Sequence, residues 1–209
     1  DYVQVLGAEY LAYANEQRVI AASGKERAAS VRFGFTLIQA DDLQLEVDNL
    51  RVKARNAVLR FGSEQNEFAE LSYELRSLQG FGLRQRENRW EVVRIRSGGV
   101  EPFDAVAPPE LFQFADISES ELVIKAAQIW FYPGERIQFH RAEFYVGEVK
   151  SLSLPLYSQS LWSGGVGSDT LVGVQNGQVY LDVPYYYALT PTQIGALRGC
   201  ERIVVGHIQ

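Results

Sequence analysis

Gln39-Ala40-Asp41-Asp42-Leu43-Gln44-Leu45-Glu46-Val47-Asp48 is the stretch that decides the fold. From Leu43 to Asp48 apolar and polar residues alternate, which puts Leu43, Leu45 and Val47 on one face of a strand and Gln44, Glu46 and Asp48 on the other. Such a strand is half buried. Ahead of it stands a small residue, Ala40, with large apolar residues at offsets of three and five. The same spacing recurs at Ala8, Leu11, Tyr13 and at Ala127, Trp130, Tyr132, and with a smaller middle residue at Ala54, Ala57, Leu59. Looser starts stand at Ala69 and Ala142, and several starts follow one another by about 14 or 15 residues, room for a strand and its turn. The pattern predicts stacked rungs. An offset of three followed by two breaks simple alternation unless a bulge intervenes; the blander explanation is coincidence in an Ala-rich β protein.

Outward from this stretch, strand signals continue at Val3 to Tyr13, Arg18 to Ala22, Ala28 to Phe35, Arg51 to Phe61 and Glu67 to Leu75, broken by Ser23-Gly24-Lys25 and Gly62-Ser63-Glu64-Gln65-Asn66. Pro102, Pro108 and Pro109 deprive a sheet of donors, so residues 101–116 read as a connector with a short helical turn around Glu110 to Phe112. Strands resume at Leu122.

The 209 residues carry 20 Lys and Arg against 26 Asp and Glu, with no basic cluster, so the balance argues against nucleic acid. With 46% hydrophobic residues the chain can fill a core, and no apolar run is long enough for a membrane-spanning helix. Lone Cys200 excludes an internal disulfide. A start at Asp1 without a leader segment points to a processed or excised protein and leaves its compartment open.

Catalytic patterns are missing. His140 and His207 stand outside any metal-ligand spacing, Cys200 lacks an adjacent base, and Leu161-Trp162-Ser163-Gly164-Gly165-Val166-Gly167 matches neither a nucleophile elbow nor a phosphate cradle. Asp41 with Asp42, Glu46 with Asp48, and Asp116 with Glu119 and Glu121 are the carboxylate pairs to weigh for sugar chemistry; on alternating strands they read as solvated surface. No enzyme, cofactor or metal is expected.

The rungs Gly7-Ala8-Glu9-Tyr10-Leu11-Ala12-Tyr13 and Gln39 to Leu45 resemble the A-D-x-L-x-Y repeat of the OstA-like domain. Tyr132-Pro133-Gly134-Glu135-Arg136-Ile137-Gln138-Phe139-His140-Arg141-Ala142-Glu143-Phe144-Tyr145-Val146, followed by Ser153-Leu154-Pro155-Leu156-Tyr157, is similar to the last jellyroll rungs and "LPY" exit of the OstA-like/LptD lipopolysaccharide-assembly family of Gram-negative outer membranes. Asn176 to Pro191, with Pro184, Tyr185 and Tyr186, looks like that family's lead-in to its membrane barrel. The sequence departs from the family motif at Tyr187-Ala188 and at Thr192-Gln193-Ile194-Gly195, where an Asp is missing.

The resemblance implies an all-β, OstA-like β-jellyroll (β-taco) of stacked antiparallel rungs over residues 1–155. A hairpin-rich tail over 156–209 would be cut off short of a barrel or belong to a relative without one. It also implies a periplasmic domain of an outer-membrane protein that holds the acyl chains of lipopolysaccharide or a similar glycolipid. The groove would be lined by Leu11, Tyr13, Leu43, Leu45, Leu59, Leu71, Tyr73, Trp130 and Tyr132. Leu154, Pro155, Tyr157, Pro184, Tyr185 and Tyr186 would form the jellyroll–barrel junction. Implied partners are bridge jellyrolls joined by edge-strand pairing, and an outer-membrane barrel that is either the chain's own continuation or a separate protein. Residues 168–209 are expected to be the least independently stable part. A carbohydrate-binding β-sandwich is the alternative; its mark would be aromatic residues on the polar face, whereas Trp130 and Tyr132 read as following the apolar register.

Overall fold

A computed structural model describes residues 1–103 and 108–161 with their side chains and, beyond these, the backbone of the strands at 172–175, 178–190 and 193–203. The chain is all-β and jellyroll-like. Its strands are β1 (Val3–Leu6), β2 (Tyr10–Ala14), β3 (Val19–Ser23), β4 (Ala29–Phe33), β5 (Thr36–Ala40), β6 (Asp42–Glu46), β7 (Arg51–Phe61), β8 (Glu64–Glu74), β9 (Gln79–Arg86), β10 (Arg89–Arg96), β11 (Gly99–Pro102), β12 (Leu122–Lys125), β13 (Gln128–Tyr132), β14 (Arg136–Val146), β15 (Val149–Ser160), β16 (Val172–Gln175), β17 (Gln178–Thr190) and β18 (Gln193–Ile203). Among the described residues helix is confined to 3₁₀ turns at Lys25–Arg27 and Pro109–Leu111.

The chain divides into two compact units, residues 1–133 with 138–157, and 134–137 with 158–209. In the first, two antiparallel walls share one interior. Wall one runs β13, β1, β4, β5, and wall two runs β12, β2, β3, β6. β7 belongs to both walls, since Arg51 to Arg55 pair with β6 and Val58 to Phe61 with β5. β14 likewise pairs with both β13 and β12. Where β7 crosses between walls Asn56 has φ 48°, and where β14 crosses Arg141 has φ 54°. This left-handed residue shifts the alternation by one place, so Ala54 and Ala57 are both buried. The offset of three followed by two is thus the signature of a corner.

The corners also divide Val3 to Tyr13, expected as a single run. Gly7 turns so tightly that a Cβ would lie 2.0 Å from the Tyr10 carbonyl oxygen, and the N–H groups of Ala8 and Glu9 both donate to the Ser23 carbonyl, at 3.1 and 3.0 Å. Between β5 and β6 the corner is Asp41. Its carboxylate accepts from the Arg27 backbone N–H at 2.7 Å and from Asn56 Nδ2 at 2.6 Å, so one short acid ties three successive rungs.

β8 pairs along β7 through both walls, and β9, β10 and β11 continue from wall two. Alternation did not single these last strands out, because Gly80 and Gly82 hold inward positions opposite Tyr73 and Leu71. A Cβ on Gly82 would lie 2.3 Å from the Phe68 ring, and one on Gly80 2.2 Å from the Ser72 carbonyl oxygen. The missing Cβ atoms leave room for this close approach, and Val93 and Ile95 of β10, paired with Gly82 and Gly80, share the inward face and are fully buried.

Glu101 and Pro102, expected in the connector, instead end the edge strand β11, where a proline is tolerated. The described residues that follow, Phe103 and 108–116, form a strap against the outer face of wall two. Arg94 lies 5.0 Å from the Phe103 ring, Lys53 Nζ donates to the Gln113 carbonyl at 2.9 Å, and the Arg55 guanidinium sits 4.4 Å over the Phe114 ring. Gln44, buried on this outer face, donates to the Ala115 carbonyl at 3.0 Å and accepts the Ala115 N–H at 2.8 Å. Residues beneath the strap share transverse register, Ala12 beside Ala21, then Gln44, Lys53, Ser72, Phe81 and Arg94.

In the second unit β16, β17 and β18 form an antiparallel meander. The expectation that residues 168–209 are the least independently stable part turns on side chains outside the described residues.

Candidate functional site: the inner face and its seam

Register sorts the groove candidates into rows. Leu11, Ala22, Leu43, Ala54 and Leu71 lie side by side across wall two, and Tyr13, Ile20, Leu45, Val52 and Tyr73 form the next row. Leu59 stands on wall one beside Ile38. All of these face the interior and none is more than 4% exposed. Across the interior Tyr13 meets Phe139 with ring centroids 5.8 Å apart, and Phe139 stacks on Tyr157 at 5.6 Å. The inner face is therefore filled by its own side chains, as a close-packed core is.

Trp130 and Tyr132 require a correction. On β13 the inward residues are Ile129 and Phe131, paired with Val5 and Val3, so Trp130 and Tyr132 point outward. The true rung is Ala126, Ile129, Phe131, which keeps the offsets of three and five but starts one residue earlier; a slip of one place reverses every side chain. The bulk of Trp130 and Tyr132 disguised the phase. Outside, Tyr2 lies 5.7 Å from Trp130 and 5.8 Å from Tyr132, and the His140 ring 4.8 Å from Trp130. This outer aromatic cluster escaped the sequence reading, although Tyr2 lies one place before the β1 alternation and so shares its outward phase.

Of the junction residues, Tyr157 is buried against Phe139 and Phe144, Leu154 is half-buried and Pro155 exposed, all on β15. Pro184, Tyr185 and Tyr186 lie on β17 opposite Arg198, Leu197 and Ala196, and their side chains are outside the described residues.

The walls are joined along one long side and not along the other. On the joined side run the corners, Gly7 to Glu9, Asp41, Asn56 and Arg141. Opposite them the hairpin turns stand in two rows, Gly34-Phe35 and Gly62-Ser63 on wall one, and Asn15 to Arg18, Val47 to Leu50 and Leu75 to Leu78 on wall two. Backbone bonds run along each row, with Gly62 N–H to the Phe35 carbonyl, Val47 to Arg18 and Leu75 to Leu50. Among the described residues none joins these two rows of turns. This seam is clasped at one end, where Asn66 Nδ2 donates to the Gly98 carbonyl at 3.0 Å.

Polar groups gather beside the seam. The Tyr13, Tyr73 and Thr36 hydroxyls are buried without a well-formed hydrogen bond in the protein, each one or two places from a turn, and Gln17 Oε1 in the first wall-two turn is likewise unpartnered. Burial pushes the Tyr13 and Tyr73 hydroxyls up to about 12, the nearby Thr36 hydroxyl offsetting part of the rise at Tyr73. Burial also raises Tyr157 well above the ordinary phenol value.

The carboxylate pairs are engaged separately. Glu46 meets Lys53 at 2.9 Å, Asp48 meets Arg18 at 2.7 Å, and Asp116 caps Ser118. No cluster of metal-ligating side chains occurs among the described residues. Comparison with protein-family models and with curated proteins finds no match to this chain.

Proposed function

We propose that the protein is a lipid conduit that takes acyl chains of lipopolysaccharide, or of a similar glycolipid, into the space between its walls and passes them towards an outer-membrane barrel. The observation that carries this reading is the seam. Wall two presents mostly apolar side chains to the interior, and among the described residues no backbone hydrogen bond joins the turn rows opposite the corners, so they can part without breaking one. An acyl chain held there is kept out of water, which is worth about 0.8 kcal/mol per buried CH₂. The sequence resemblance to the OstA-like/LptD family supplies the glycolipid, the periplasmic setting and the bridge partners. β15, flanked on one side by β14 and carrying exposed Val149 and Leu156, offers an edge for such pairing.

Site-specific photo-crosslinking tests this. A photoreactive residue at Leu45 faces the interior and one at Trp130 faces outward, so a conduit gives lipopolysaccharide adducts at Leu45 and few at Trp130 in transport-competent envelopes. Adducts at neither position would remove the proposal.

The outer cluster, in which Tyr2 is exposed and Trp130 and Tyr132 are half-buried, favours a second reading, carbohydrate binding by aromatic residues on the outer face. Oligosaccharide binding abolished by Trp130→Ala, with no lipid adduct at Leu45, would establish it instead.

A further inference from the structure

We infer that the seam selects amphiphiles bearing ester or amide carbonyls where their chains meet the head group, and that the Tyr13, Thr36 and Tyr73 hydroxyls are the donors that bind them. This rests on the conduit reading and adds to it the chemistry of the ligand. The observation is the company these hydroxyls keep. Each is at most 1% exposed and stands beside a hairpin turn flanking the seam. Tyr13 has no hydrogen-bond partner in the protein, and the Tyr73 and Thr36 hydroxyls have no other partner than one another, near each other across the seam without forming a well-aligned bond. Tyr13 and Tyr73 come from wall two and Thr36 from wall one, so the donors occupy both lips. A core that only had to pack would carry Phe and Val here, because a buried hydroxyl without a partner costs free energy that the apolar isostere does not.

Distribution along the interior supports the same assignment. The row nearer the corners, Leu11, Ala22, Leu43, Ala54 and Leu71, has no polar side chain, whereas the row nearer the seam has Tyr13 and Tyr73 at separate rungs. Hydrocarbon would lie against the first row, with its carbonyl end level with the second. Gln17 Oε1, buried without a partner in the turn that follows β2, adds an acceptor on the wall-two side.

The test compares a short-chain diacyl phosphatidylglycerol with its diether counterpart, identical in chains and head group but lacking the carbonyls, as ligands of the whole protein below their micelle concentrations. The expected result is about tenfold tighter binding of the diester, as one or two net hydrogen bonds supply. In Tyr13→Phe/Thr36→Val/Tyr73→Phe the preference should fall to within about twofold, chiefly through weaker diester binding. If the triple variant misfolds by circular dichroism, Tyr73→Phe alone serves, with a part of the preference lost. Equal binding of both lipids by the unaltered protein, or a preference undiminished in the folded variant, overturns this inference and leaves the conduit standing. Binding of neither lipid overturns both.

Discussion

Asp41 shows how much one side chain can organise. Its two oxygens hold the Arg27 N–H and the Asn56 amide, and these bonds, Asn56 first, hold its carboxyl below the usual carboxylate range. A group so lowered stabilises the fold above its unfolded value of 3.8, and the contribution is lost as pH falls through the folded value. Asp41→Ala should cost about 1 kcal/mol, as removal of a capping side chain does, and urea titrations at successive pH values should show Asp41→Asn reducing the loss of stability below about pH 4. The buried tyrosines act at the other end of the scale. Tyr73 is raised to about 12 in the fold against 10.0 when unfolded, so its contribution is whole below pH 10 and lost as pH rises towards 12. Tyr73→Phe should therefore move alkaline unfolding to higher pH, measured by far-UV circular dichroism. Asp41 was visible in the sequence as part of a repeated motif. Its bracketing role was not, because Arg27 and Asn56 come near it only once the rungs stack.

Strands were the legible elements, and their breaks were legible only in part. Leu43 to Glu46 alternates and folds as a strand, but it is buried on its polar face as well at Gln44, where the Ala115 backbone covers it. Val3 to Tyr13 conceals the corner at Gly7 because both arms are apolar on one face. Trp130 and Tyr132 misled for a related reason: aromatic bulk signals burial somewhere, and their outward packing on Tyr2 satisfies that demand as well as a core would. β9 gave little signal because its inward places are glycine. Gly82→Ala should press a methyl group onto the Phe68 ring and cost about 1 to 3 kcal/mol, the range for overpacking, read from the denaturation midpoint. The strap should depend on Gln44. Its replacement by Ala leaves the Ala115 N–H and carbonyl without their side-chain partner, for a loss of about 1 to 3 kcal/mol, and limited proteolysis should then cut residues 108–120 faster than in the unaltered protein.

On the scale of the first unit, inside and outside are set by a phase that a single residue can invert. Leu45→Asp would bury an unpaired carboxylate among Ile20 and Val52, at a cost of several kcal/mol, enough to abolish the folded state of a domain of ordinary stability. Trp130→Asp, on the outer face, should leave cooperative unfolding in place with a smaller shift, so thermal melts of the pair measure which face each strand presents. That the chain would be all-β with an apolar inner face could be read from alternation alone. The seam could not, since it is defined by which turns lack a partner across the interior, and spacing along the chain is silent about that.

The strap also orders events in time. Strands β1 and β2 finish their ladders only by pairing with β13 and β12, more than a hundred residues later, Val3 with Phe131 and Ala14 with Val123. Until the ribosome has released the connector and those strands, the growing chain presents two unsatisfied strand edges beside an unfinished apolar interior. Such late closure makes for slow folding with a high contact order. A nascent chain halted before Leu122 would be a template for intermolecular pairing, and a periplasmic or cytoplasmic holdase that shields β1 and β2 until synthesis is complete would find its binding site there.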